Sequence, residues 1–193
     1  GASNALLSMF SSGRDGWKKR LVGIHYQGDT AKDKKDLSHA QAFEVCRTVV
    51  DAGRVPLLFD WRNQSPLPLS NWRRVPPICT TRQFASRGWG GDAEMNTALI
   101  EQCEAFVGID SGPGKCASAT DTPTLIVWTG HHPALYHDPA PNTTHLVPVG
   151  FHDMHPVCSN PGVVAWFDRS YQGRHYAGDP VVEVCKWLKE VLK

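Results

Sequence analysis

The stretch Phe106-Val107-Gly108-Ile109-Asp110-Ser111-Gly112-Pro113-Gly114-Lys115, followed by Cys116-Ala117-Ser118-Ala119-Thr120, decides the fold. Phe106 to Ile109 is an apolar strand. Asp-Ser-Gly-Pro-Gly breaks it, and small residues then carry a helix. Pro123-Thr124-Leu125-Ile126-Val127-Trp128 follows as a second buried strand. These pieces make one strand–loop–helix–strand unit of an open α/β sheet, and such sheets bind ligands in the crevice outside the carboxyl ends of their strands. The loop also sets backbone N–H groups at a helix N-terminus. Unpaired amides and the helix dipole favour an anion there, a phosphate above all.

Upstream, Leu21-Val22-Gly23-Ile24-His25-Tyr26 reads as a buried strand, and Gln27 to Leu37 as a polar, lysine-rich loop. Ser38 is the N-cap expected for a helix to about Ala52, with Phe43, Val45, Cys46, Val49 and Val50 on its apolar side. Gly53 ends that helix and Val55 to Asp60 is the next strand. A β-α-β order implies parallel strands joined by a right-handed crossover. Trp61 to Gly91 is irregular, rich in Pro and Trp, with Ile78 to Thr81 as a short strand. Asp92 caps a helix expected to run to about Glu104, burying Met95, Leu99, Ile100 and Cys103. Thr144 to Val149 reads as the last strand, and residues 150–179 show no clear periodicity. Asp179-Pro180 opens a final helix with Val181, Val184, Cys185, Trp187, Leu188 and Val191 on its buried face. The fold class is therefore α/β: a Rossmann-like, open, mainly parallel sheet with helices on both faces.

At 193 residues the chain suits one domain. Its formal net charge of +1 gives no field that would draw it to nucleic acid. No apolar run has the length of a transmembrane segment, and no signal peptide is visible. The start Gly1-Ala2-Ser3-Asn4-Ala5, without Met, reads as a cloning scar or an excised fragment. Residues 1–20 are taken as lead-in and linker, and 21–193 as the binding domain. The six cysteines form no C-x-x-C pair and read as buried free thiols of a reducing compartment, with disulfides or a metal as the alternatives. The expected location is the cytoplasm, at most peripheral to the inner face of the membrane.

Phosphate recognition needs N–H donors that approach closely, which glycine permits. Ser111, Gly112, Gly114 and Lys115 supply such donors, and Lys115 adds a positive charge. A cation in the first turn opposes the helix dipole, and an anionic ligand would offset that. The alternative is a tight strand-to-helix turn without a ligand. The loop Gly28 to Leu37 lies at the carboxyl end of its strand, where Lys32, Lys34 and Lys35 could reach phosphate oxygens and Thr30 could donate a hydroxyl. The alternative there is a solvated charge run. His131, His132, His137, His145, His152 and His155 make the later chain histidine-rich. No pair has i, i+4 spacing on an expected helix, so no metal site is assigned and loop histidines that could touch a sugar are the reading.

The string Phe106 to Pro113, the alanine-containing helix after it, Thr122-Pro123-Thr124 with its apolar strand, and Gly130-x-x-Pro133 together resemble glycosyltransferase family 9. That family includes the ADP-heptose:lipopolysaccharide heptosyltransferases. Lys35-Asp36-Leu37-Ser38, with Thr30 upstream, resembles more weakly the family's Thr/Ser-rich loop ending in Lys-x-Trp-Pro. The resemblance is specific over 92–133. It implies the C-terminal, donor-binding half of a GT-B fold, in which a nucleotide-sugar is bound and the acceptor domain is a separate N-terminal unit. Carried over, Asp110, Ser111, Gly112, Gly114 and Lys115 would face the donor's diphosphate and sugar. Lys35 or its neighbour Lys34 would neutralise the leaving group, with Lys35 and Lys115 the catalytic candidates and Thr30 beside them. Asp60 and Trp61 would lie near the ribose or base. Lys115 stands where the family has His, and Gly130 lacks the usual following Pro.

The implied reaction moves a sugar, heptose among the candidates, from a nucleoside diphosphate to an acceptor hydroxyl on a glycan, a lipid-linked molecule or a protein. It belongs with lipopolysaccharide biosynthesis. No cofactor is implied beyond the donor, expected to be ADP-linked in preference to UDP-linked. The general base is implied to sit in the missing N-terminal domain, so this domain alone would bind without turnover. The alternative is a non-catalytic nucleotide or nucleotide-sugar binding module of a larger protein. A sugar-nucleotide epimerase of related build would need an acid/base pair that the sequence does not present.

Overall fold

The computed structural model describes residues 21–29, 32–61, 79–85, 88 and 90–193. One sheet organises them, seven parallel strands in the order β3-β2-β1-β4-β5-β6-β7. The strands are β1 (Leu21–His25), β2 (Val55–Leu58), β3 (Cys79–Thr80), β4 (Ala105–Ile109), β5 (Thr124–Val127), β6 (Thr143–Pro148) and β7 (Gln172–Tyr176). The helices are α1 (Lys32–Lys35), α2 (His39–Asp51), α3 (Arg82–Ala85), α4 (Ala93–Ile100), α5 (Gly112–Ser118), α6 (Pro161–Ser170) and α7 (Val181–Val191).

Alternation along the strands divides the core in two. On one face Val22, Ile24, Val107, Ile109, Leu125 and Val127 pack with Val45, Val49, Val184 and Leu188 of α2 and α7. On the other, Leu21, Phe106, Ile126 and Trp128 pack with Leu99 of α4, Ala117 of α5 and Phe167 of α6. Two glycines in the sheet make room for one ring. A Cβ on Gly23 or on Gly108 would stand 2.6 Å from a carbon of Phe106, and the Phe106 ring meets Phe59 edge-on at 5.4 Å.

The helix starts follow local chemistry. Ser38 Oγ accepts from the Gln41 amide while Gln41 Oε1 accepts from the Ser38 amide, a reciprocal cap for α2. Asp92 Oδ1 accepts from the Met95 amide and opens α4.

Three sequence expectations are corrected. The helix expected to reach Glu104 ends at Ile100. The chain must turn there, because the Glu104 amide donates to the Leu21 carbonyl at 2.8 Å and starts the β1–β4 pairing. Thr143–Pro148 is not the last strand: β7 pairs with it from Thr144↔Gln172 to Pro148↔Tyr176. Residues 150–179 accordingly hold α6 and β7. Both lie at the sheet's edge, where α6 buries only Phe167 and β7 only Tyr176, and the polar β7 carries no apolar alternation. The expectations for 1–20, for Thr30 and for 62–78, 86, 87 and 89 of the Pro- and Trp-rich stretch lie outside the described residues.

Three imidazoles have strongly lowered pKa values: His132 and His145, buried in this interior, and His25, half-buried at the end of β1. Burial pushes His25 and His132 down to about 4 and His145 to about 3. The unfolded chain, with imidazoles near the ordinary 6.5, takes up those protons first. Stability is therefore full above pH 6.5 and is lost as the pH falls toward 4. Each of these residues contributes a slope of up to about 1.4 kcal/mol per pH unit in that window. Thermal unfolding midpoints measured from pH 8 to pH 4 should be flat at first and then decline.

Candidate functional site: the crevice between β1 and β4

The order of winding creates the site. After β1 the chain goes through α2 on one face to β2, and after β4 it goes through α5 on the other face to β5. The two connections leave in opposite directions and open a crevice between the carboxyl ends of β1 and β4. A cleft of about 920 Å³ lies there. It is lined by His25 and Gly28 after β1, Lys35 of α1, Asp60 and Trp61 after β2, Asp110 and Ser111 after β4, Gly112 and Lys115 of α5, and Asn96 of α4.

Ser111 is the N-cap of α5, yet its hydroxyl makes no cap bond. Ser111 Oγ donates to the Ile109 carbonyl at 3.1 Å and lies 2.9 Å from His25 Nδ1. The Ser111–His25 bond runs in either direction according to the imidazole tautomer. The first hydrogen bond of the helix runs from the Lys115 amide to the Ser111 carbonyl at 3.2 Å. Pro113 has no N–H, so Gly112 and Gly114 supply the amides of the first turn. The two glycines differ in surroundings. Gly112 lines the cleft and a Cβ there meets nothing within 4 Å, whereas a Cβ on Gly114 would lie 3.0 Å from the Ile109 carbonyl oxygen and 3.0 Å from Ile126 Cδ1. Gly114 is buried and seats the helix on the sheet.

Asp110 is buried at the end of β4. His131 Nδ1 lies 2.9 Å from its Oδ2 and Lys35 Nζ 3.5 Å from the same oxygen. Lys35 is held near by its helix. The Lys34 carbonyl accepts from the Thr129 hydroxyl, and Gly130 lets that carbonyl approach to 3.0 Å of where a Cβ would be. Asp36 Oδ1 accepts from the Gly28 amide at 2.9 Å and folds the loop back on itself. Asp60 is paired with Arg82, whose Nε and Nη2 both reach Oδ2. Trp61 Nε1 donates to Asn96 Oδ1 at 2.8 Å. The Trp61 ring lies so close to Gly91 that a Cβ there would stand 2.5 Å from it.

Of the residues singled out in the sequence, Lys35, Asp60, Trp61, Asp110, Ser111, Gly112 and Lys115 line one cleft. Lys34 is exposed outside that lining, Gly114 faces the sheet, and Thr30 lies outside the described residues. His25, Asn96, Arg82 and His131 carry contacts that the sequence did not assign to them. His25 had a positional signal as the last residue of β1, and His131 one as a loop histidine of the Gly130-x-x-Pro133 stretch. Of the other histidines singled out, His132 stacks on Phe151 at 4.8 Å, Trp128 Nε1 donates to His145 Nδ1, and His155 is exposed. Among the described residues no group of three or more His, Cys, Asp and Glu side chains is arranged to hold a metal ion. Among them, too, no helix is long and apolar enough to cross a membrane.

The seven-stranded parallel sheet with its switch-point crevice is a Rossmann-like open α/β architecture, like one half of a GT-B fold. Solved structures agree, and the chain has the fold of one half of heptosyltransferase structures. It matches Escherichia coli ADP-heptose LPS heptosyltransferase II with a TM-score of 0.60 and 14% identity, over 99% of this chain and 51% of that one. It matches a glycosyl transferase family 9 protein from Veillonella parvula DSM 2008 with a TM-score of 0.63 and 15% identity, over 98% and 50%. The match to E. coli heptosyltransferase WaaC, solved with ADP, has a TM-score of 0.52 and 14% identity, over 73% and 42%. The chain thus spans about half the length of the first two structures. No protein-family model and no curated protein matches the sequence.

The two glycines of α5 give a direct check. Gly114→Ala should destabilise the fold by about 1–3 kcal/mol, the ordinary cost of overpacking, read by denaturant unfolding. Gly112→Ala should leave the unfolding curve within about 0.5 kcal/mol, since its new methyl projects into open space.

Proposed function

We propose that this chain is the donor-binding domain of a glycosyltransferase, and that the cleft takes the diphosphate of a nucleotide-sugar. One observation carries the reading. Two ammonium groups from separate helices, Lys35 of α1 and Lys115 of α5, line the same switch-point crevice as the first turn of α5. A diphosphate needs that combination of charge and backbone donors. The likeness in fold to heptosyltransferases, one of them solved with ADP, supports the class of ligand.

In such a reaction an acceptor hydroxyl attacks the anomeric carbon and the nucleoside diphosphate leaves. This domain's share is to hold the donor and to stabilise charge on the departing phosphate oxygens. Lys35 and Lys115 take that part, with the Gly112 amide beside them. Asp60, oriented by Arg82, and Trp61, fixed by Asn96, line the end of the cleft after β2 and would receive the ribose and base, ADP in preference to UDP. The general base and the acceptor, whether glycan, lipid-linked or protein, belong to an N-terminal domain, which fits a chain of half the length of its structural neighbours. Heptose is the sugar proposed.

A second reading, a nucleotide-binding module without catalysis, is favoured by Lys115, which puts a lysine where the resembling family has an imidazole. Calorimetric titration with ADP and UDP tests the cleft under either reading. ADP should bind more tightly than UDP. Lys35→Ala and Lys115→Ala should each weaken ADP by about tenfold or more, the usual loss for a hydrogen bond to a charged group. Affinity unchanged by both substitutions would contradict the assignment. Transfer of sugar by this chain alone, at a rate comparable to a two-domain enzyme, would contradict its proposed role as half a site.

A further inference from the structure

We infer that His131 is a positioning residue of the anion site: its Nδ1–H holds the Asp110 carboxylate and so leaves the Lys35 ammonium available to a phosphate in the cleft. The inference rests on reading the cleft as a diphosphate site.

Asp110 presents a difficulty for that site. Its carboxylate lies among the groups that would meet an anion, and its side chain is only 9% exposed. A carboxylate so placed needs a close partner, and it also repels phosphate. Two groups answer it, at different distances. His131 Nδ1 is at 2.9 Å from Oδ2, within ordinary hydrogen-bond range. Lys35 Nζ is 3.5 Å from the same oxygen and 3.4 Å from the Asp110 carbonyl oxygen, the outer limit of such contacts. The imidazole is thus the formed partner and the ammonium the loosely held one. Their places in the site agree with this division. Lys35 lines the cleft and His131 does not. His131 is seated by its own loop, with its ring 4.9 Å from that of Tyr136. When an anion enters, Lys35 can turn toward it while His131 keeps the carboxylate paired. Without the Nδ1 donor, the carboxylate would draw Lys35 onto itself, and the ammonium would be spent on Asp110 instead of the ligand.

The test is a double-mutant cycle on the whole chain, reading inorganic pyrophosphate and ADP affinity by calorimetry, with circular dichroism to check folding. His131→Phe keeps a ring against Tyr136 and deletes the donor. His131→Gln moves the donor away from the Nδ1 position, and serves if the first variant does not fold. His131→Asn places an amide N–H near that position. Pyrophosphate affinity should fall roughly tenfold in H131F and H131Q. H131N should remain within about twofold of the unsubstituted chain. With Asp110→Asn in place, adding H131F should change nothing further, because no carboxylate is left to capture Lys35. The inference is overturned if H131F and H131Q bind as the unsubstituted chain does, or if their loss persists undiminished beside D110N. Failure of pyrophosphate and ADP to bind the unsubstituted chain overturns the diphosphate reading itself, and this inference with it.

Discussion

The structure depends on one constraint of winding: β1 and β4 are neighbours whose helices leave to opposite faces of the sheet. The helix after β1 covers Val22 and Ile24, and the helix after β4 lies over Phe106 and Ile126. No connection can then cross the space between the two strand ends, and a crevice remains. Every group assigned to the site is there because a strand or loop ends at its rim. Phe106 helps set the sheet that defines the rim. Its ring lies over Gly23 and Gly108, on the two strands that border the crevice.

Four aspartates and two lysines line the crevice, so the proposed binding of an anion depends on how the carboxylates are engaged. Asp60 is held by Arg82, and Asp110 by His131 with Lys35 beyond. His25 is neutral because burial lowers it to about 4, so it brings no charge. Lys115 is exposed at the midpoint of α5, the fourth of its seven residues, so the conflict with the helix dipole expected from the sequence does not arise. A diphosphate in the cleft would place negative charge between that lysine and the helix N-terminus. The same placement would use the Gly112 amide, which no intrahelical bond satisfies.

Much of this was legible in the sequence where local chemistry and packing agree. The apolar run into Asp-Ser-Gly-Pro-Gly marks a strand end and a helix start, and the structure has β4 and α5 there. Ser38 and Gln41 form the cap that the spacing suggests. Legibility fails where one neighbour is missing. β7 is an edge strand with polar Gln172, Arg174 and His175 and shows no alternation, and α6 buries only one residue of its apolar stripe. The site follows the same division. Asp110, Ser111 and Lys35 follow from their places at strand ends, but Arg82 becomes a partner of Asp60 only because β3 lies beside β2, which no local pattern encodes. His131 is likewise brought to Asp110 from the loop after β5, and Gly114 proves to be a packing glycine because the helix lies close on Ile109 and Ile126.

The nucleoside diphosphate proposed for the crevice between β1 and β4 can be located by backbone amide chemical shifts, followed by NMR during titration with ADP. The largest changes are expected at Gly28, Ser111, Gly112 and Lys115, with smaller ones at Trp61 and Asn96. Changes centred on α6 and β7, with the Ser111–Lys115 amides unmoved, would contradict that placement.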